Sequence, residues 1–287
     1  MRTRLTLLIP VVALATALTA CGDDGPSKTE FTTQADRACT AGNTTISTAT
    51  KPANAPQVAT AAGDATSTID AQVAALRAMK TPGGDDKDLA VGVVNTIAEV
   101  AVPTKALQEA AGRNDDAAMA RAALDMQATA ESASNTAQAF GMAQCGIQLK
   151  FGLGNLFDGV KQVVKATYVA KGEGLCRDAA RKYDAIAPPG NSLASFNRFI
   201  DAVNGVSTKL AADLKALQVP PGDDATVADM IGAVDGLNAK SREAIDAVKA
   251  GNDRLFIALV DELRVAQTSV NAKLDAYGLK TCGSAGS

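Results

Sequence analysis

The chain has 287 residues, with 28 Lys and Arg against 31 Asp and Glu, no His and no Trp. The acidic balance argues against general nucleic-acid binding, which needs a basic face. Without His there is no His-based triad, no His-ligated zinc site and no Glu-x-x-His di-iron site.

The N-terminus reads as a targeting segment. Arg2 and Arg4 form a short positive region, and Leu5 to Ala17 runs apolar apart from Thr6, Pro10 and Thr16. Leu5 to Ala20 is shorter than the roughly 20 apolar residues of a membrane-spanning helix, so a cleaved signal is expected. Leu18-Thr19-Ala20-Cys21 follows, and then the polar run Gly22-Asp23-Asp24-Gly25-Pro26-Ser27-Lys28. This arrangement resembles the bacterial lipobox: an aliphatic residue, two small residues and a cysteine. The resemblance implies that signal peptidase II removes residues 1–20 and that Cys21 is diacylated on sulfur. The expected product is a lipoprotein on the extracytoplasmic face of the cell membrane, tethered through residues 21–29. An ordinary secretory signal with a chance cysteine is the alternative. Residues 21–287 keep 26 basic residues against 31 acids, a net charge of −5.

Four cysteines remain in the exported part, and an even count in an oxidising compartment favours two disulfides. Their spacing exposes a repeat. Cys39 lies as far from Cys145 as Cys176 lies from Cys282, and each second cysteine is followed by glycine. Phe31 matches Tyr168 and Pro52 matches Pro189 at an offset of 137 positions. Leu76-Arg77-Ala78-Met79 matches Leu214-Lys215-Ala216-Leu217, and Gly84-Asp85-Asp86 matches Gly222-Asp223-Asp224, at 138. Residues 30–146 and 167–283 therefore read as two copies of one module. Residues 147–166 form a connector and 284–287 a tail.

Each copy reads as four helices. In the second, Leu193, Phe196, Ile200, Val203, Val206, Leu210, Leu214 and Leu217 recur at spacings of three and four. So do Val227, Met230, Val234 and Leu237, and then Phe256, Leu259, Leu263, Ala266, Val270, Leu274 and Tyr277. That spacing puts one apolar stripe on each helix. Pro188-Pro189-Gly190, Pro220-Pro221-Gly222 and Gly251-Asn252-Asp253 separate the helices. The first copy has mostly Ala, Thr and Met at core positions, and Pro103 predicts a break in its third helix. Smaller core residues predict that this copy is the less stable one. The fold class is thus all-α: two tandem four-helix up-down-up-down bundles related by duplication, each closed by one disulfide. Up-down topology brings a first helix's start beside a fourth helix's end, which selects Cys39 with Cys145 and Cys176 with Cys282. A pairing between modules is the alternative.

Candidate chemistry is sparse. Asp85-Asp86 and Asp223-Asp224 follow Pro and Gly at helix starts and read as N-caps rather than calcium ligands. Gly152-Leu153-Gly154 lacks the further glycine and preceding strand of a dinucleotide loop. The cysteines are too far apart for a Cys-x-x-Cys redox pair. No cofactor, metal site or catalytic residue is expected. The connector is the most distinctive segment. Leu156, Phe157, Val160, Val163 and Val164 share a helical face, and Lys150 to Lys182 holds seven basic residues against three acids. Packing between the modules is one reading. Contact of Phe157, Lys161 and Lys165 with anionic lipid or a partner is the other.

Cys at the module start, Pro-Pro-Gly before the third helix, Gly-Asn-Asp before the fourth and the ending Tyr277-Gly278-Leu279-Lys280-Thr281-Cys282-Gly283 resemble helical modules of secreted and lipid-anchored actinobacterial proteins. The first copy fits loosely, with Ala139-Phe140-Gly141-Met142 in place of the Tyr-Gly-Leu ending. The resemblance implies compartment and fold and carries no activity. The function expected is a non-catalytic binding or structural protein of the cell envelope, touching the membrane through Cys21 and an unidentified envelope protein or lipid. A carrier of a lipid or apolar small molecule between helices or modules, and an enzyme of unrecognised type, are the alternatives.

Overall fold

The computed structural model describes residues 25–47, 51–189 and 193–284. Every regular element among these residues is an α-helix. Helices α1 (Lys28–Ser47), α2 (Ala55–Ala78), α3 (Asp86–Glu99), α4 (Ala101–Gly112), α5 (Asp116–Phe140) and α6 (Ala143–Gly152) precede the long α7 (Gly154–Asp184). Helices α8 (Leu193–Lys215), α9 (Asp224–Lys249), α10 (Asp253–Tyr277) and α11 (Lys280–Ser284) follow it.

Local chemistry sets several of these ends. Ser27 and Glu30 form a capping box: the Ser27 hydroxyl accepts from the Glu30 N–H at 3.2 Å, and the Glu30 carboxylate accepts from the Ser27 N–H at 2.9 Å. Those bonds from Ser27 hold the Glu30 carboxyl below its ordinary value. The first helix therefore starts inside the segment expected as tether. Asn54, Asp115 and Asn252 cap α2, α5 and α10 by accepting from the N–H groups of Gln57, Ala118 and Leu255. Asp85 and Asp223 stand at the starts of α3 and α9 but make no side-chain capping bond, which corrects the capping role expected of them. Asp223 points elsewhere, as described below. Gly141 and Gly278 end α5 and α10 at φ 104° and 112°, the left-handed conformation that glycine adopts without strain.

The break expected near Pro103 falls at Val100, between α3 and α4. Pro103 has no N–H for the Glu99 carbonyl. The Thr104 hydroxyl donates to the Val100 carbonyl at 2.7 Å on the buried side of the break. In α9 the equivalent stretch has no proline and stays unbroken.

Two main cores result. The first runs from Phe31 to Val164 and takes in α1 to α6 together with the first half of α7. The second holds Tyr168, Leu214, Met230, Val270, Tyr277, Leu279 and their neighbours, with a small separate cluster around Ala244, Ala247 and Leu259. The 166/167 boundary thus lies inside one continuous helix. Ala35, Ala62, Ala123, Ala133 and Ala137 are 0 % exposed in the first core. Small side chains let helix axes come close and leave few voids. In α8, by contrast, Phe196, Ile200, Val203, Val206 and Leu210 are only half-buried. The premise behind that expectation, that the first copy buries less apolar area, is therefore corrected. Side-chain size is legible in a sequence, whereas the apolar area buried depends on how closely the helices approach.

Candidate functional site

The cysteines behave as two equivalent closures. Cys39 with Cys145 and Cys176 with Cys282 lie at disulfide distance, Cα to Cα 5.0 and 5.1 Å. Each pair has the same support. The Asp36 carboxylate accepts from the backbone N–H groups of Gln144 and Cys145 at 2.9 and 3.2 Å. Glu173, 137 positions later, accepts from the Thr281 N–H at 2.8 Å and from its hydroxyl. The glycine after each second cysteine has a steric cause. A Cβ on Gly146 would come within 2.7 Å of the Ser134 carbonyl, and one on Gly283 within 2.8 Å of the Asn271 carbonyl. Cys21 lies outside the described residues.

A second constellation also recurs. Phe31 and Phe140 meet edge to face at 6.2 Å, Lys28 stands 4.5 Å over the Phe140 ring, and Lys28 pairs with Asp86 at 3.2 Å. At positions 137 later, Tyr168 and Tyr277 meet edge to face at 5.5 Å, Lys165 stands 4.4 Å over Tyr277, and Lys165 pairs with Asp223 at 3.5 Å. Asp223 is thus the counterpart of Asp86. The match of Gly84-Asp85-Asp86 with Gly222-Asp223-Asp224 slips by one residue in the loop.

The second copy adds polar contacts that the first lacks. Lys161 reaches Asp223 at 2.9 Å, the Tyr277 hydroxyl donates to Asp223 at 3.0 Å, and the Tyr168 hydroxyl donates to the Leu214 carbonyl at 3.4 Å. Burial alone would raise the Asp223 carboxyl. The hydrogen bonds from Lys161 and Tyr277, with the charges of Lys161 and Lys165, outweigh it and hold the group below the ordinary carboxylate value. Burial and the adjacent carboxylate push the Tyr277 phenol well up. Asp223 therefore stays ionised and Tyr277 stays protonated at neutral pH. This buried carboxylate with two lysines and a phenol fastens α7 to the start of α9 and has no base poised on a nucleophile.

Of the three connector residues singled out in the sequence, Phe157 packs half-buried against the first core. Lys161 and Lys165 bring their ammonium groups to Asp223. Leu156, Val160, Val163 and Val164 are buried in the first core, so the apolar face of the connector packs inside the protein. Pro52 lies against Gly159, Lys51 pairs with Asp158 at 3.2 Å, and Lys171 pairs with Asp116 at 3.2 Å. An open cleft of about 680 Å³ separates the start of α5, including Arg121 and Leu124, from Val219 and Pro220.

The loosest packing surrounds α8. A groove of about 260 Å³ between α7 and α8 is lined by Leu175, Ala179, Val206 and Leu210 together with two lysines and two aspartates. A second groove of about 540 Å³, toward α9, is lined by Asn204, Thr208, Arg242 and Ile245. Gly205 lines both, and a Cβ there would meet nothing within 4 Å. Asn197 Oδ1 and Asn204 Nδ2 are buried without a hydrogen-bond partner. Each such orphaned atom costs about 1–3 kcal/mol. Deeper in, the Ser207 hydroxyl donates to the buried Asn238 amide, and burial raises the Tyr183 phenol. Sequence reading passed over these amides, although the signal was present. Asn238, Gln267 and Asn271 stand 137 positions after Ala101, Ala130 and Ser134. Larger amides thus stand where the first copy has Ala or Ser, and of the three Asn238 is buried.

Among the described residues no group of three or more His, Cys, Asp or Glu is placed to hold a metal ion. No protein-family model, curated protein or solved structure matches the chain.

Proposed function

We propose that the chain is a membrane-anchored extracytoplasmic lipoprotein of the cell envelope whose second half is a non-catalytic binding module. The observation that carries the binding role is the open packing of α8, with grooves on both sides and two orphaned buried amide atoms. Apolar lining toward α7, and Asn204 with its unpaired amide atom in the lining toward α9, suit a small amphipathic molecule. We read the architecture as two tandem four-helix up-down-up-down bundles. In this reading α3 and α4 count as one broken helix, and α6 and α11 are the disulfide-bearing closures. The closures and the Lys–Asp–aromatic constellations, repeated at an offset of 137, support the duplication.

The anchor rests on the lipobox resemblance. Labelled palmitate is expected in the protein and lost in Cys21→Ala; labelling that survives the substitution removes the anchor. The binding role is tested by native mass spectrometry of protein purified from its own membrane. A co-purifying small molecule is expected, and Gly205→Trp, which fills the space beside α8, should lower its occupancy at least tenfold. Wild-type protein free of any small molecule, together with a crosslinked protein neighbour in cells, would replace the carrier reading with a partner-binding one.

A further inference from the structure

We infer that the first turns of α8 and α10 form a seat for an amphipathic helix of a partner protein, one with an aliphatic stripe and a lysine beyond it. The occupant is identified by what fills the equivalent seat in the first module.

There the chain covers itself. The start of α6 runs beside the end of α5, where Gly146 lies against Ser134 and Gln138, and α7 goes on to pack against both α2 and α5. Leu156, Val160, Val163 and Val164 of α7 join the first core. Lys171, two turns after Val164, pairs with Asp116 at the start of α5. The covering segment therefore runs antiparallel to α5. Met119, Ala120 and Ala123 follow Asp116 at three, four and seven positions, so they share its side of the helix. They are 0 %, 3 % and 0 % exposed.

The second module begins the same track and leaves it open. Gly283 of α11 lies against Asn271 and Asp275 of α10, the counterparts of Ser134 and Gln138, but α11 ends at Ser284. Helix α9 packs against both α8 and α10, as α4 does against α2 and α5. Among the described residues no further helix takes the place of α7.

The residues left open match the covered ones position for position. At an offset of 137, Asp116, Met119, Ala120 and Ala123 correspond to Asp253, Phe256, Ile257 and Val260. Ile257 is 64 % exposed and Val260 44 %, Phe256 is half-buried and Asp253 is exposed. Asp261 and Arg264, paired with each other, flank this patch at its rim. On α8, Phe196, Ile200 and Val203 are half-buried, whereas Val58, Ala62 and Ala65, 138 positions earlier, are buried. Those three α8 residues line neither groove beside α8, so the seat is separate from the proposed small-molecule site.

Larger apolar side chains thus stand where the cover is missing: Ile257 for Ala120, Val260 for Ala123 and Ile200 for Ala62. Left in water they stabilise the fold little, and a helix docked over them recovers the burial. Asp253 repeats the charge that Lys171 meets in the first module, so the docked helix carries a cation at that end.

The test uses the full chain with both disulfides. The probe is a fluorescent peptide of this chain's own residues 153–171, with photoreactive benzoylphenylalanine at Phe157. Saturable binding is expected, with crosslinks to residues 253–264. Ile257→Asp with Val260→Asp should weaken binding at least tenfold, while Val265→Asp, on the other side of α10, should leave it unchanged. Both sites are exposed, and circular dichroism checks that the variants stay folded. Asp253→Lys should weaken binding at least threefold, and a peptide with Lys171→Glu should restore it. No saturable binding, crosslinks to residues 116–127 instead, or binding untouched by Ile257→Asp with Val260→Asp overturns the seat. A charge swap that restores nothing overturns the lysine-bearing occupant. Neither the lipid anchor nor a small molecule beside α8 enters these measurements.

Discussion

The two halves of the molecule share a plan and differ in how they fill it. In the first, alanines such as Ala62, Ala123 and Ala133 are fully enclosed, and the first half of α7 completes the core. In the second, larger side chains on α8 stay half-buried, and amides occupy interior positions. The comparison teaches that apolar content is a poor measure of burial. Close helix approach gives small residues complete enclosure, while a splayed helix leaves large ones wet. In the proposed function the open half is the one that takes a ligand.

The largest test of this contrast comes from the closures. Both disulfides close loops of 106 residues, so chain entropy alone stabilises each half equally, by about 5 kcal/mol. Cys176→Ala with Cys282→Ala should nevertheless open the second half at 37 °C, while Cys39→Ala with Cys145→Ala should leave the first half folded. Hydrogen exchange read by mass spectrometry on peptides from each half decides it. Faster exchange in the first half after losing its own bridge would break the comparison.

Core truncations follow in size. Leu107→Ala, at a site 0 % exposed, should cost about 3 kcal/mol. Ile200→Ala, on half-buried α8, should cost about 1 kcal/mol because less area leaves water. Denaturant unfolding of the two variants measures both; equal losses would mean that α8 is packed as tightly as the first core.

An effect between those two belongs to the fastening between the halves. Asp223→Asn should cost about 2 kcal/mol at neutral pH, since it removes a buried charge from two lysines and weakens the bond from Tyr277. The folded state holds this carboxyl below its ordinary value. Its stabilisation is therefore complete above the unfolded pKa, near 4, and lost as pH falls through the folded value. Thermal melts of wild type and variant should differ at pH 7 and approach each other as pH falls below the ordinary carboxylate range. A difference that persists in acid would mean that the carboxylate charge is not what holds α7 to α9.

Much of the fold was legible because its determinants are local or covalent. Pro103 marked a helix break through its missing N–H, Asn252 marked a start through its side-chain oxygen, and the equal cysteine spacing marked the repeat. The capping role expected of Asp223 failed because its carboxylate turns to Lys161 and Tyr277, which are distant in sequence. Lys165 reaches the same carboxylate.

The sequence by itself determined an all-helical chain, the pairing of its cysteines and the positions of most helix ends, because propensity, caps and chain length act within a few residues or through connectivity. Tertiary structure alone decided that α7 belongs to both cores, that the alanine-rich half is the better sealed, and that the space beside α8 is open. Those outcomes depend on the distance between helix axes, which many side chains fix together and no single segment encodes.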